Sequence, residues 1–539
     1  MIVQGIKDLF AEGIRDGWQV THTGQMRTHQ QITCDVVIVG TGAGGGVTAE
    51  ILATAGLSVV LIEEGPLRTS NQFNMDEKQA YQDLYQEGAA RTSDEGAITI
   101  LQGRSVGGST TINWTSSFRT PAPTLQAWSD GFGLRGCSET EMTPWFERME
   151  RRLNIHPWEQ TPNANNQLLA DGCAKLGYSY GTIARNVKAC WNLGYCGMGC
   201  PTNAKQSMLV TTLPEALKRH ARLYYRARAE QLLMSGDRVL GVICQGMKED
   251  GIHTSGTVLT VRARHTVLAG GGINTPGLLL RSQVPNPHHL IGKRTFLHLV
   301  NSSRGIFAQE VQAAHGAPQS IYSDYFVWKD GAHGRMGYKL EVMPLHPALT
   351  AALVGESGQE LAMEMHQHRY MSMMLGLMRD GFHEESPGGS ISLRDDRTPV
   401  VHYPLTDYIR DGLRRALLSM AEIQFAAGAK TVRPLHRDAL SYTSLGQAKA
   451  AIEGLAMEKF HLRLGSAHVM GGCAMGEDEK LCVTDSLGRL RYVQNCSIHD
   501  GSLFPTSIGA NPQLSIYAQA ARLSTALLAE LIQPKAATA

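Results

Sequence analysis

The sequence predicts an α/β protein: a doubly wound, mostly parallel sheet with a separate α+β region inserted into it. Three observations carry this. Residues 35–39 (DVVIV) form a β-branched apolar run that opens on glycines, and residues 58–62 (SVVLI) form another after a helical stretch at 46–56. Strand, helix and strand within about thirty residues is the spacing of a parallel β-α-β unit. A further apolar run at 265–269 again ends in glycines, Gly270 to Gly272. The chain of 539 residues, 42% hydrophobic, is long enough for about two to four domain-sized units around substantial cores.

In chain order, Gly40, Gly42 and Gly45 make G-x-G-x-x-G directly after the first strand and at the start of the helix. Glycines there permit a tight turn and let backbone amides approach a pyrophosphate, and the helix N-terminus favours the phosphate charge. Glu63 follows at the end of the second strand, 63 − 40 = 23 residues past the first glycine, where an acid can bind a ribose hydroxyl. The pattern predicts a Rossmann-like dinucleotide site and by itself fits FAD and NAD equally. Residues 300–450 mix strand-like pieces (336–342) with helical ones (408–427), and from about 455 come a Gly-rich segment, DGSLFP and a helix-like run at 512–532. No internal repeat or low-complexity tract is visible.

Fifty Lys plus Arg against forty-nine Asp plus Glu leave a net charge of +1, so no overall field draws the chain to nucleic acid or acidic lipid. The first thirty residues carry Lys7, Asp8, Glu12, Arg15 and Asp16 without a long apolar stretch, which does not fit a secretory signal. No run of eighteen apolar residues suggests a transmembrane segment. Ten cysteines in this length do not make a disulfide scaffold, and the expected setting is a reducing cytoplasm.

The stretch VIVGTGAGGGVTAEILATAGLSVVLIEEGP, then GRSVGGSTTINW (103–114), GGGINTPGLLLRS (270–282), SAHVMGGCAMG (466–476) and DGSLFPTSIGANPQLSIYAQA (500–520) together resemble the glucose-methanol-choline (GMC) flavoproteins. The resemblance covers most of the chain outside the middle region. Gly272 stands where the second family signature has Ala, Ser, Thr or Pro, and the first signature around Gly107 to Asn113 is loosely matched. The likeness implies FAD as cofactor, contacted by Gly107, Gly108, Ser109 and Asn113 and by the turn at Asp500 and Gly501. It implies a discontinuous FAD-binding domain of residues 1–125, 210–298 and 455–539. A substrate-binding cap would comprise 126–209 and 299–454.

The likeness also places His468 near the flavin ring and Asn511 opposite it beside a reacting alcohol. A neutral imidazole can take the hydroxyl proton while the carbon-bound hydrogen leaves as hydride to flavin N5, with Asn511 fixing the substrate oxygen. The expected reaction is oxidation of an alcohol to an aldehyde or ketone, with oxygen, a quinone or a cytochrome as electron acceptor. A Met-rich stretch, Met371, Met373, Met374 and Met378, suggests a pocket for a hydrophobic alcohol, although such stripes are common in ordinary cores. Fold and flavin do not fix a reaction. A lyase, a light-driven decarboxylase and a non-catalytic flavin electron-transfer subunit are the rivals.

Cys190, Cys196 and Cys200, at C-x5-C-x3-C before Pro201, stand in a loop (190–201) whose thiolates can converge on a soft metal centre. The loop resembles that of cytochrome-linked sugar and gluconate dehydrogenases of the family, which implies a three-iron iron-sulfur cluster on these three residues. Trp191 replaces the second of the adjacent cysteines in those relatives. Cysteine-rich loops also occur in the family's long-chain alcohol oxidases, which YKLEVMPLHP (338–347) resembles. A cluster, a structural clip and inert thiols all remain open readings. A cluster would favour a dehydrogenase, its absence an oxidase.

Overall fold

A computed structural model describes residues 5–533. Its largest sheet has the strand order Gln19–His22, Arg222–Tyr225, Val59–Glu63, Gln30–Val39, Thr254–Leu268, Arg238–Met247 and Ala227–Ser235, with Cys496–Ile498 also pairing to Thr254–Leu268. The first five run parallel, with Val36 opposite Val59 and Val37 opposite Thr266, and the last two close the sheet as an antiparallel hairpin. Val36 to Ile38 and Val59 to Leu61 are fully or almost fully buried. Continuous apolar runs of this kind belong to central parallel strands covered on both faces. The doubly wound α/β expectation is borne out.

The helix that follows strand Gln30–Val39 spans Ala43–Thr54 and starts three residues earlier than the hydrophobic spacing suggests. Its opening turn is almost all glycine, which propensity disfavours. Packing overrides propensity here. A β-carbon on Gly44 would lie 1.5 Å from the His499 carbonyl oxygen, and one on Gly45 would lie 1.9 Å from that of Gly40. The helix therefore sits closer to the sheet end than any side chain allows. The C-terminal helix Gln513–Ile532 packs against it.

A second, largely antiparallel sheet runs Tyr338–Val342, Met371–Met378, Val300–Ile306, Leu464–Ser466 and Ile98–Ile100, with Thr431–Pro434 pairing beside Val300–Ile306. Helix Asp407–Ala426 is capped by Thr406, whose hydroxyl accepts from the Ile409 amide. Its stripe Ile409, Leu413, Ala416, Leu417 and Met420 is buried in the core of this layer. A small sheet joins Lys293–Phe296 to Gly389–Leu393 and to Met470–Gly471. The small sheet and the second sheet thus run into one another through the segments 293–306 and 464–471, where Val300, Ser302 and Leu464 to Val469 line the main cavity.

Candidate functional site

One cavity of about 910 Å³ runs between the two sheets. Its wall near the fingerprint is backbone: Gly40 to Gly44, Gly108 and Ser109, Gly270 to Gly272, and Asp500 with Gly501. Gly40 adopts φ +103°, and a β-carbon on it would press 2.3 Å from the Ala269 carbonyl, so this tight turn admits only glycine. A β-carbon on Gly108 would lie 2.7 Å from the Gly42 α-carbon, which leaves a narrow slot edged by amides. Gly45 and Gly107 stand one layer behind this wall. Gly45 packs the helix on the turn, and the Gly107 amide donates to Thr41 Oγ1 at 3.0 Å.

Glu63 lines the same end. Its Oε2 accepts from the Thr41 amide at 3.2 Å and hydroxyl at 2.5 Å, and its Oε1 from the Gly65 amide at 2.9 Å. Burial raises its carboxyl above the ordinary value against these donors. Asp500 does not reach free into the cavity. Its Oδ2 accepts from the Gly271 amide and the Thr275 hydroxyl and its Oδ1 from the Ser502 amide, so it ties the second glycine loop to the C-terminal turn. Ser109 Oγ accepts from the Gly103 amide, and Asn113 Nδ2 donates to Gln513 Oε1 at 2.6 Å. Arg91, Arg104, Arg281 and Arg394 line another stretch of the cavity. Backbone amides and guanidinium groups as donors, with a carboxylate as acceptor, are the set of groups a dinucleotide needs.

The structure brings His468 and Asn511 to this one cavity, though 511 − 468 = 43 residues separate them in the chain. His468 is half-buried. Burial and the Lys339 ammonium push its imidazole below its ordinary range, so it is neutral at pH 7. Its Nδ1 lies 3.0 Å from His298 Nδ1. Asn511 is 4% exposed and is gripped at both ends of its amide: Lys339 Nζ donates to Oδ1 at 3.2 Å, and Nδ2 donates to Glu341 Oε2 at 3.1 Å. One Asn511 N–H stays free for a substrate oxygen.

Lys339 and Glu341 share one face of strand Tyr338–Val342, because side chains two apart on a strand point the same way. They are 2% and 0% exposed as side chains, with Nζ and Oε1 3.3 Å apart. Oε1 is off the hydrogen-bonding axis and has no other partner. Gln319 Nε2 donates to Glu341 Oε2 at 2.7 Å, and Lys339 Nζ stands 2.9 Å from the Phe118 ring centroid. Burial brings the Lys339 ammonium down to about 8, opposed by Glu341.

The cavity continues along Val300, Met343, Leu353, Leu375, Leu377 and Leu462 to Phe460, which is 58% exposed. It therefore has an apolar arm reaching the surface. Met371, Met373, Met374 and Met378 are not part of that wall. All four are fully buried in the packing of the second layer, and the same strand supplies Leu375 and Leu377 to the cavity instead.

All ten cysteines are free thiols. In the 190–201 loop each sulfur accepts a hydrogen bond: Cys190 from the Asn192 amide, Cys196 from Arg185 Nη2 and Cys200 from the Lys205 amide, at 3.4–3.6 Å. Lys205 is 2% exposed, and its Nζ donates to the carbonyls of Thr111, Asn113 and Cys196. The loop is thereby pinned to the Gly107–Asn113 wall. Burial lowers Lys205 to about 8 while Cys196 and Cys200 oppose that shift.

Among the described residues the one trio whose ligand atoms gather is His436, Asp438 and His461; the sulfurs of Cys190, Cys196 and Cys200 do not all come within the same reach of one another. His436 Nε2 is within 2.9 Å of the Ala456 carbonyl and its Nδ1 accepts from the Asp438 amide, so both ring nitrogens are already engaged and no cation site follows.

Sequence reasoning missed His298, Lys339, Glu341 and Gln319. For Lys339 and Glu341 a signal existed: two charges at i and i+2 inside the otherwise apolar YKLEV. His298 carried none, being one imidazole within FLHLV. Among the described residues no helix is long and apolar enough to cross a membrane.

Comparison with known proteins matches residues 81–300 and 385–520 to the two domain families described as GMC oxidoreductase. An uncharacterized GMC-type oxidoreductase of Mycobacterium tuberculosis is 31% identical over 501 residues, covering 92% of this chain and 76% of the relative. A long-chain-alcohol oxidase of Arabidopsis thaliana is 28% identical over 520 residues, covering 93% and 68%. Among solved structures, pyridoxine 4-oxidase from Mesorbium loti superposes with a TM-score of 0.66 at 17% identity, over 92% of this chain and 99% of that one. Formate oxidase superposes with a TM-score of 0.69 at 13% identity, over 94% and 100%.

Proposed function

Because the chain belongs to the GMC oxidoreductase family, we propose that it holds FAD in the glycine-lined cavity and oxidises a hydrophobic alcohol there to an aldehyde or ketone. The single observation that carries the reading is that the backbone cradle, His468 with Asn511, and the apolar arm from Val300 to Phe460 open into one another. Bound FAD supplies the hydride acceptor. The fingerprint amides would hold its pyrophosphate, Glu63 would take a ribose hydroxyl, and the Arg91 and Arg104 guanidiniums on the adjoining stretch of the cavity would add positive charge for the phosphates. The FAD-binding part comprises residues 1–125, 210–298 and 455–539, and the remainder forms the substrate side.

The protein's own share of the chemistry is positioning and proton handling. Asn511, locked by Lys339 and Glu341, presents its free N–H to the alcohol oxygen. His468, kept neutral by burial and Lys339, takes the hydroxyl proton. An alkyl tail lies along Leu375, Leu377 and Leu353, where about 0.8 kcal/mol per buried methylene favours long chains. The Arabidopsis relatives named as long-chain-alcohol oxidases support this substrate class.

A second reading concerns the cysteine loop. Three sulfurs that each accept an N–H, beside two buried cations and the unpartnered Arg185 Nη1, are the ligands a three-iron cluster would use, and it would have to overcome the burial that pushes the Cys190 thiol up. With such a cluster on Cys190, Cys196 and Cys200 the acceptor is a cytochrome or quinone. Without it, oxygen is the acceptor, and ten free thiols suit a reducing compartment such as the cytoplasm.

The test is an absorption spectrum of anaerobically purified protein before and after a panel of primary alcohols, with iron and acid-labile sulfide assayed on the same sample. Flavin bands that bleach with long-chain alcohols support the reading, and iron at about three per chain selects the dehydrogenase. A flavin no alcohol bleaches leaves an electron-transfer subunit. Protein that never holds flavin overturns the proposal. His468→Ala is expected to bind flavin and slow its reduction by about 10²-fold or more.

A further inference from the structure

Behind His468 stands a second imidazole that the alcohol-oxidation reading leaves unused. His298 is 0% exposed and lies between strands Lys293–Phe296 and Val300–Ile306. Its backbone is left-handed, φ +47°, a conformation that costs a non-glycine residue on the order of 1 kcal/mol or more. The neighbouring Leu297 amide donates to Asp380 Oδ2 at 3.1 Å, which secures the turn. That turn aims the ring at His468 across the 3.0 Å Nδ1 to Nδ1 contact. Burial and the Lys339 charge hold both rings neutral. Two neutral imidazoles at this distance share one proton, so the nitrogen that carries it decides the tautomer of His468.

We propose that His298 is a positioning residue for alcohol oxidation: its Nδ1 accepts the Nδ1–H of His468 and so turns the His468 Nε2 lone pair toward the substrate hydroxyl. This rests on the reading of His468 as the proton acceptor. The alcohol O–H bond breaks, its proton forms a bond to His468 Nε2, and the positive charge left on His468 is stabilised through the Nδ1–H···Nδ1 bond to His298. The substrate's carbon-bound hydrogen departs with its electron pair to the flavin. In this arrangement the His298 Nε2–H is buried without a partner, a cost of about 1–3 kcal/mol. The opposite tautomer would place a proton on His468 Nε2 and leave no base facing the cavity.

The holoenzyme is mixed anaerobically with 1-decanol in wild-type, His298→Ala, His298→Asn and His468→Ala forms, and flavin bleaching is followed. Asparagine tolerates the left-handed backbone and keeps a hydrogen-bonding group near the Nδ1 position. His298→Ala is expected to lower the limiting rate about 10²-fold with KM within about threefold and an enlarged solvent isotope effect. Reduction by dithionite, which needs no hydroxyl proton removed, should not change. His298→Asn should recover at least about tenfold of the loss. If His468→Ala is slow while His298→Ala matches wild type, His298 has no part in the chemistry. Equal slowing of both His298 variants means packing, not the hydrogen bond, is what matters. A fast His468→Ala instead removes the underlying reading. Should His298→Ala fail to fold, nitrogen-15 spectra of His468 in the wild type decide: a proton on Nδ1 supports the inference, and a proton on Nε2 overturns it.

Discussion

Replacing Lys339 by Met removes the one ammonium that faces Glu341 while keeping a long apolar stem over Phe118 and Tyr322. Glu341 is then a carboxylate with 0% exposure, held only by the amide donors of Gln319 and Asn511. Breaking a buried ion pair at one partner costs about 3–5 kcal/mol, whereas replacing both partners by neutral groups of similar shape is often close to neutral. Lys339→Met should therefore shift the folding equilibrium by roughly two to three and a half decades. Lys339→Met with Glu341→Gln should recover most of that loss. Asn511 loses the donor to its Oδ1 in both forms, so alcohol-driven flavin reduction stays slow in the double variant even as stability returns.

The assay is urea unfolding at fixed excess flavin, followed by circular dichroism at pH 7, with flavin reduction measured on the same preparations. At that pH the lysine, brought down to about 8 by burial, is still mostly charged. Its depressed value makes the native state release protons before the unfolded state does between about pH 8 and 10.4. This group's contribution to stability consequently rises with pH across that window and is flat below it. A Lys339→Met variant as stable as wild type, or a double variant no better than the single one, would refute the electrostatic account of the pair.

Glu63→Gln should weaken flavin retention by about tenfold, read as flavin released on dilution, because a carboxylate hydrogen bond to a hydroxyl is stronger than an amide one; unaltered retention would separate Glu63 from the ribose. Leu375→Trp, which fills the apolar arm, should cut kcat/KM for 1-dodecanol by at least about tenfold more than for 1-butanol, and an equal loss for both would move the tail elsewhere. His265 and His499 are buried and held down to about 4 and about 3, burial being the main cause. The unfolded chain binds protons near 6.5 and the native one does not. Stability is therefore lost as pH falls from about 6.5 toward those values, by about 2 kcal/mol for each at pH 5; a melting midpoint that does not move between pH 7.5 and 5 would contradict this.

The parallel layer was legible in the sequence because its signals are local: DVVIV and SVVLI flank glycines whose only reason is backbone geometry. The helix start was misplaced for the same reason. Gly44 and Gly45 read as turn residues, yet they are helical because His499 and the Gly40 carbonyl press against them, and no local pattern reports a neighbour 455 residues away. His468 and Asn511 were legible through motifs, and the structure adds the geometry that brings them to one cavity. Lys339 and Glu341 were written in YKLEV, but a strand with alternating charges is ordinarily solvated on that face, and only the second layer shows the face to be interior. The Met stripe misled for two reasons: alternation turns Met374 and Met378 to the face away from the cavity, and Met371 and Met373, though on the same face as Leu375 and Leu377, lie farther along the strand and pack beyond the cavity's reach.

The contact between Gly44 and the His499 carbonyl also sets an order of events in the cell. The amide cradle opens within the first fifty residues of synthesis, yet its floor is laid by a segment made 499 − 44 = 455 residues later. At about 5–20 residues per second the ribosome needs roughly 23–90 s to cover that interval. During it the exposed edge of the parallel strands waits for Cys496–Ile498 and for the last helix. Cofactor capture is therefore expected only late in synthesis, and chains truncated before about residue 496 should accumulate as aggregation-prone intermediates rather than as smaller flavoproteins.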